Sequence, residues 1–239
     1  MLRIPVAVSL AVSLAASVSA LIPEPAMPAI DCGTASPSLS ASPLAGADSS
    51  LLALYARGEA YPEFLENTRR RREGWHSIND SVRIADSSLV RARMAASKFK
   101  LLVVAIDACG DSMQQVPYVA RLAELVPGLA LRIVPPAVGA TAQQSHRSLD
   151  GRTATPTFIL LDEQGQDVGC IVEYPRELRR WTHAQRDTMK SGPLHDYAAA
   201  WYKADRGASI VHEVVELMEQ ARAGTPVCER GESKPAGAL

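Results

Sequence analysis

The residues best suited to chemistry in this chain are Cys109-Gly110-Asp111-Ser112, which stand between an apolar run and a helical pattern. Unpaired backbone N–H groups at a helix N-terminus favour the thiolate form of a cysteine, and the thiolate is the nucleophile in disulfide exchange. Gly110 lets the chain turn tightly, whereas the Asp111 carboxylate opposes a second negative charge beside it. We therefore expect Cys109 to be a moderately acidic nucleophile, with the Ser112 hydroxyl as its hydrogen-bond partner.

Elements of two different periods surround this loop. The continuous apolar run at 101–106 predicts a strand buried on both faces, and a helix over about 112–125 follows it. The remaining pattern predicts further strands, the last two forming a hairpin, at 129–134, 157–161 and 168–172. A short helix is compatible with the polar connection at 137–154. This order predicts an α/β fold with a mixed central sheet and helices on both faces.

The loop and its surroundings resemble thioredoxin. In that fold a C-G-x-C loop follows a buried strand and opens a helix with a proline eight residues past the first cysteine; here these positions are Cys109 and Pro117. Thr155-Pro156 precedes the predicted hairpin and matches the cis-proline that faces the active cysteine in thioredoxin. The resemblance covers residues 99–174, and the C-G-D-S loop is similar to one bacterial thioredoxin-like family whose members carry C-G-D-C or C-G-D-S. It implies that the Thr155 backbone, beside Pro156, binds a substrate segment by strand addition.

Three departures from the thioredoxin pattern concern function rather than fold. The tryptophan before the first cysteine is Ala108, the buried acid six residues before that cysteine is Val103, and the second cysteine is Ser112. A serine cannot resolve a mixed disulfide, so the sequence predicts thiol–disulfide exchange through Cys109 alone. This covers mixed-disulfide formation, isomerisation or deglutathionylation, with protein or small-molecule thiols and disulfides as partners. The alternative is a redox-inert module that keeps the thioredoxin groove as a binding surface, which leaves open whether the protein is an enzyme.

The other cysteines could pair or resolve. In an oxidising compartment a structural disulfide between Cys32 and Cys228 is plausible, although sequence alone does not fix the connectivity. Cys170 falls inside the predicted fourth strand, where the favoured interpretation is a small core residue. Either Cys32 or Cys228 could also swing in to resolve Cys109. No Cys/His pair has zinc spacing and no glycine-rich phosphate loop is present, so we expect no metal and no cofactor.

Composition limits the kinds of partner. The chain has 239 residues, with 25 Lys+Arg against 26 Asp+Glu and a net charge of -1. A domain that grips phosphates usually has a clear basic excess, so we expect no nucleic-acid partner. The run Arg69–Arg72 is locally basic, and we interpret it as a solvated helix face paired with nearby glutamates.

The N-terminus has the pattern of an export signal. Arg3 precedes an apolar run that ends in Val18-Ser19-Ala20, as in a cleaved secretory signal peptide, and the run is short for a membrane span. We therefore expect a periplasmic or secreted protein with no stable membrane insertion after cleavage. The predicted organisation is a signal peptide at 1–20, a flexible Ala/Pro/Ser-rich tether at 21–50, a helical extension at 51–98, a thioredoxin-like core at 99–174, C-terminal helices at 175–225 and a disordered tail at 226–239.

Overall fold

The computed structural model of the protein describes residues 51–231. The predicted signal peptide at 1–20 and the tether at 21–50 lie outside the described residues, as do positions 232–239 of the predicted tail. Among the described residues no helix is both long and apolar enough to cross a membrane.

Helices precede, separate and follow the strands along the chain. Pro62 and Pro136 each lie in a first helical turn, where a missing N–H costs nothing. The helices are α1 Leu51–Ala56, α2 Tyr61–Asn67, α3 Arg72–Ser81, α4 Asp86–Ala95, α5 Gly110–Leu125, α6 Pro136–Ser145, α7 Arg176–Gln185, α8 Ser191–Asp205 and α9 Ala208–Arg222. The strands are β1 Phe99–Val104, β2 Leu129–Val134, β3 Thr157–Leu161, β4 Asp167–Val172 and β5 Val227–Cys228.

The five strands form one mixed sheet in the order β2-β1-β3-β4-β5. β1 pairs parallel with β2 and antiparallel with β3, while β3 and β4 form the predicted antiparallel hairpin. The parallel pair needs a crossover, and α5 supplies it, as expected for a βαβ unit. The predicted α/β fold with a mixed central sheet is confirmed.

Successive residues of the central strands point into two separate cores, one on each face of the sheet. In β1, Leu101 and Val103 belong to the larger core, whereas Leu102 and Val104 belong to the smaller one. All four side chains are fully buried, which explains why the run is continuously apolar rather than alternating. The larger core packs α3, α4, α5 and α9 against the sheet, and the smaller core packs α1 and α6 against its other face.

Two features of the described chain correct the sequence interpretation. The run Arg69–Arg72 is not a helix face, because α2 ends at Asn67 and α3 begins at Arg72. The tail predicted to be disordered from 226 instead contributes Val227–Cys228 to the sheet as β5, paired parallel with β4. This edge strand is held by side-chain bonds that sequence patterning does not show.

Candidate functional site

Cys109 lies where the sequence places it, between the end of β1 and the first turn of α5. It is the N-cap residue of α5, with extended backbone angles, and its Sγ accepts a hydrogen bond from the Ser112 backbone N–H at 3.4 Å. The side chain is 1% exposed. A backbone N–H that points at the sulfur stabilises negative charge there, as does the positive end of the helix dipole.

Thr155 and Pro156 face this sulfur from the start of β3. The Thr155-Pro156 peptide bond is cis, and the Sγ of Cys109 lies 3.2 Å from the Thr155 carbonyl oxygen. The structure therefore brings together the predicted nucleophile and the predicted docking edge. Pro117, the third mark of the resemblance, lies inside α5.

Ser112 contacts the sulfur through a different atom from the one predicted. The bond to Cys109 is made by the Ser112 amide, whereas the Ser112 hydroxyl is buried and has no hydrogen-bond partner among the described residues. Thr155 Oγ1 is likewise buried without a partner in the described chain. The two residues that contact the Cys109 sulfur through their backbones thus each have a buried, unsatisfied hydroxyl.

The C-terminal helices close one side of the C-G-D-S loop. Gln115, fully buried in α5, places its amide nitrogen 2.9 Å from the Tyr202 hydroxyl of α8 and 2.7 Å from the Glu173 carbonyl oxygen. Burial holds the pKa of Tyr202 well above its ordinary value, and the charge of the neighbouring Asp111 carboxylate raises it further. The Asp111 carboxylate therefore faces the neutral hydroxyl of Tyr202.

A cluster from the N-terminal extension anchors the chain just before Cys109. Asp107 accepts hydrogen bonds from the backbone N–H groups of Arg69 and Arg70 at 2.7 Å and 2.8 Å, and its carbonyl accepts from the Trp75 indole at 2.9 Å. The Arg71 side chain donates to the Ala108 carbonyl at 2.9 Å. Residues 69–71 therefore hold the segment just before Cys109 in place.

Sequence reasoning missed the roles of Trp75 and Arg71, although both lay in the right segment. Trp75 is fully buried. Its indole N–H needs a partner when buried, which was the available signal. The guanidinium of Arg71 lies 3.9 Å from the point where a Cβ on Gly110 would stand, so it supplies positive charge near the start of α5.

A buried ion cluster follows β4 directly behind the cis-proline. Glu173 accepts from Arg152 at 2.9 Å, and its backbone N–H donates to the Pro156 carbonyl at 2.8 Å. Burial raises the pKa of Glu173, and the neighbouring Arg152 charge opposes that rise. Burial alone would also raise the pKa of Asp150, but its bonds to Arg152 and Ser148 lower it overall. This cluster fixes the loop that carries Thr155.

The disulfide pattern corrects the predicted Cys32–Cys228 pairing. Cys228 is bonded to Cys170, with a Cα–Cα distance of 4.5 Å, because β5 pairs with β4 at those two residues. Cys170 is buried as predicted, but as half of a disulfide. Cys109 is also disulfide-bonded in this structure. Cys32 lies outside the described residues.

Cavities in the described part of the chain lie away from the nucleophile. One of about 670 Å³ lies between α4, α7 and α9 and is lined by residues that include Arg176, His212 and Glu216. Another of about 480 Å³ lies beside α5 and is lined by residues that include Tyr118 and Tyr202. Neither is lined by Cys109, so the sulfur opens into neither of them.

A cysteine at a helix N-terminus, next to a cis-proline at one end of a mixed sheet, is typical of thioredoxin-like α/β proteins. A family model described as Thioredoxin matches residues 58–190, more than half of the chain, and the protein belongs to that family. The match begins within the helical extension, so α2, α3 and α4 are part of what the family shares.

Two solved structures share the fold. A protein of unknown function from Pseudomonas aeruginosa superposes with a TM-score of 0.59 at 18% identity, covering 72% of this chain and 99% of that one. An HIV epitope scaffold superposes with a TM-score of 0.57 at 18% identity, covering 72% of this chain and 98% of that one. At this identity the likeness concerns the fold alone. No curated protein matches the sequence significantly.

Proposed function

We propose that this protein is an exported member of the thioredoxin family that exchanges thiols and disulfides through one nucleophilic cysteine, Cys109. The observation that carries the proposal is the position of its sulfur, 3.4 Å from the Ser112 amide and 3.2 Å from the Thr155 carbonyl of the cis-proline edge. The C-G-D-S loop and the apolar, small-residue N-terminus support the assignments to a bacterial C-G-D-C/C-G-D-S group and to the periplasm or exterior.

The exchange step needs one substrate disulfide and one thiolate, which Cys109 provides once its own disulfide has been reduced. The Cys109 thiolate attacks one sulfur of the substrate, a new S–S bond forms, the substrate S–S bond breaks, and the departing sulfur takes a proton from solvent. The Ser112 N–H stabilises the thiolate before attack, because it donates to the charged sulfur. The Thr155 carbonyl can accept a hydrogen bond from the neutral thiol, so it favours the thiol over the thiolate.

Release of the substrate requires a second thiol. Ser112 cannot provide it, so a small thiol such as glutathione, or a further cysteine, must attack the mixed disulfide. With Cys228 bonded to Cys170, the remaining cysteine of the chain is Cys32. Replacing it with serine tests whether the chain supplies its own resolving thiol.

The test is mixed-disulfide trapping on the full chain. Protein is reduced, the reductant is removed, glutathione disulfide is added, and the modified cysteine is located by peptide mass spectrometry. We expect glutathione on Cys109 in Cys32→Ser, and none at this position in Cys109→Ala. Less glutathione on Cys109 in the parent than in Cys32→Ser would show that Cys32 resolves the mixed disulfide. Failure of reduced Cys109 to form the mixed disulfide would contradict the proposal and leave the groove as a binding surface.

A second variant separates a lost resolving thiol from a lost active site. Ser112→Cys restores the dithiol loop at a position that the α5 backbone already holds beside the sulfur. If the groove is intact, this variant should gain reductase activity towards a protein disulfide such as that of insulin. Continued inactivity, with correct folding, would favour the redox-inert binding role.

A further inference from the structure

Three ligand-forming side chains that are distant in sequence meet at the outer edge of the sheet. One ligand atom from each of His146, Cys170 and Cys228 lies within 4.8 Å of the others. His146 follows α6, and the two cysteines lie in β4 and β5. His146 and Cys170 are both 2% exposed. This cluster lies outside the active-site loop and has no part in the exchange step above.

The two ring nitrogens of His146 have different hydrogen-bond partners. Nδ1 lies 2.7 Å from the Ala142 carbonyl oxygen, and because a carbonyl only accepts, Nδ1 carries a proton. Nε2 lies 2.9 Å from the Asp167 carboxylate, so this nitrogen is already hydrogen-bonded. A metal ion at Nε2 would replace that hydrogen bond, while the Nδ1 bond to the carbonyl would keep the ring oriented, as in a metal-binding histidine.

Asp167 is not part of the group within 4.8 Å, but it contacts the histidine of that group and can become a fourth donor by moving towards the sulfurs. Its Oδ2 contacts His146, and its Oδ1 accepts from the Gly169 backbone N–H at 3.1 Å, which orients the carboxylate. Two cysteine sulfurs, one imidazole and one carboxylate form a donor set that suits Zn²⁺.

The tail segment has several attachments besides the disulfide. Glu229 bonds to Arg179 at 2.8 Å and to Arg180 at 2.8 Å, and the Arg230 side chain donates to the Ser145 carbonyl at 2.8 Å. The Gly231 N–H donates to the Arg147 carbonyl at 3.1 Å. These bonds attach residues 229–231 to the rest of the described chain independently of the S–S bond.

We propose that reduction of the Cys170–Cys228 disulfide by a dithiol turns this cluster into a Zn²⁺ site with His146 Nε2, both sulfurs and Asp167 as ligands. The dithiol gives up two electrons and two protons and becomes a disulfide, while the two cysteines become thiols. Zn²⁺ then displaces the thiol protons, which pass to solvent. Two sulfurs on a tetrahedral zinc lie roughly 3.8 Å apart, so breaking the S–S bond is a precondition for binding.

Charge and access agree with this assignment. Two thiolates, one carboxylate and Zn²⁺ leave one net negative charge, and the Arg230 guanidinium faces the same cavity and offsets it. That cavity has a volume of about 290 Å³ and is lined by residues that include Asp167 and Cys228, so a reductant can approach the disulfide from the Cys228 side.

The test compares oxidised and reduced protein in one background. Cys32→Ser with Cys109→Ser leaves Cys170 and Cys228 as the two cysteines, so the result does not depend on the proposed function. Protein reduced by a dithiol and then desalted without oxygen is titrated with Co²⁺ for thiolate charge-transfer absorption, and with Zn²⁺ for stoichiometry. We expect one metal per reduced chain and none per oxidised chain.

Matched variants locate the ligands. Cys228→Ala and His146→Ala should each weaken Zn²⁺ binding more than about 100-fold, since altering even an outer partner of a ligand costs about 10–100-fold. His212→Ala, which removes an exposed histidine ion-paired with Glu216, should leave binding unchanged.

Three results would overturn the proposal: no metal bound by the reduced chain, metal bound equally by the oxidised chain, or binding that survives Cys228→Ala. If the reduced chain unfolds, Zn²⁺ should restore its far-ultraviolet circular dichroism, because metal binding and folding are linked. Failure to restore the signal would also overturn the proposal.

Discussion

Removing the Cys170–Cys228 disulfide should destabilise the protein by an amount set by the loop it closes. The two cysteines are 58 residues apart in sequence. In the chain-entropy model a loop of that size removes about 14 cal/mol/K from the unfolded chain, or about 4 kcal/mol at room temperature. Residual structure in the unfolded chain reduces such values, so we expect a loss of about 2–4 kcal/mol.

The assay is urea unfolding in a background with Cys32→Ser and Cys109→Ser, where this disulfide is the one that can form. Cys170→Ala with Cys228→Ala is compared with its parent. With a slope of about 2–3 kcal/mol/M, the midpoint should fall by roughly 1–2 M. A dithiol should lower the midpoint of the parent and leave that of the variant unchanged. A loss of less than about 1 kcal/mol, or a reductant effect on the variant, would refute the reasoning.

Three further predictions concern buried polar groups. Glu213→Gln should cost about 1–3 kcal/mol in urea unfolding, because Arg179, 3% exposed, would lose a charged acceptor at 2.7 Å but keep the Glu229 carboxylate at 2.8 Å. A change of less than about 0.5 kcal/mol would contradict this. Burial raises the pKa of Asp167, but the hydrogen bond and charge of His146 lower it overall. The Asp167 carboxylate therefore stabilises the fold above its ordinary pKa near 3.8, and this contribution is lost as the pH falls through the lowered pKa. Asp167→Asn should therefore lose less of its free energy of unfolding than the parent as the pH is lowered below about 4. Equal losses in the two proteins would contradict a stabilising Asp167–His146 contact. Trp75→Phe should cost about 1–2 kcal/mol, because it leaves the partly buried Asp107 carbonyl without its indole donor at 2.9 Å. An unchanged midpoint of thermal unfolding would contradict a stabilising role for this bond.

The strands and the position of Cys109 at the start of α5 could be predicted because their signals are local. The run at 101–106 is apolar at every position, which requires burial on both faces, and the strand order then follows from short connections. Cys109 and Pro117 have the spacing expected for the cap and the interior of one helix, so the sequence predicts the loop and its helix together. Pro156 adds a third mark on a separate strand.

The remaining parts of the site depend on contacts between distant segments. The bonds from Arg69 and Arg70 to Asp107 are made by backbone N–H groups, which carry no sequence signature. Cys228 pairs with Cys170 because a two-residue edge strand lies against β4, and two residues are too few for a periodic pattern. Cysteine counting alone left both pairings open.

The Ser112 contact shows the limit of residue-type reasoning. A serine in place of the second cysteine suggested a hydroxyl bond to the sulfur, but the helical backbone places the amide there instead. Any residue except proline at this position would offer the same N–H. Serine therefore matters here for the thiol that it lacks rather than for the hydroxyl that it has.

The central claim is that Cys109 is a nucleophile activated by the start of α5, and its alkylation rate against pH tests this most directly. Reduced protein is reacted with iodoacetamide across a pH series, with Cys109→Ala as the blank and peptide mass spectrometry to read the Cys109 peptide. The Ser112 N–H on the sulfur predicts a midpoint below the ordinary thiol value of about 8.5. A midpoint at or above that value, or a sulfur that does not react in the folded reduced protein, would contradict the account.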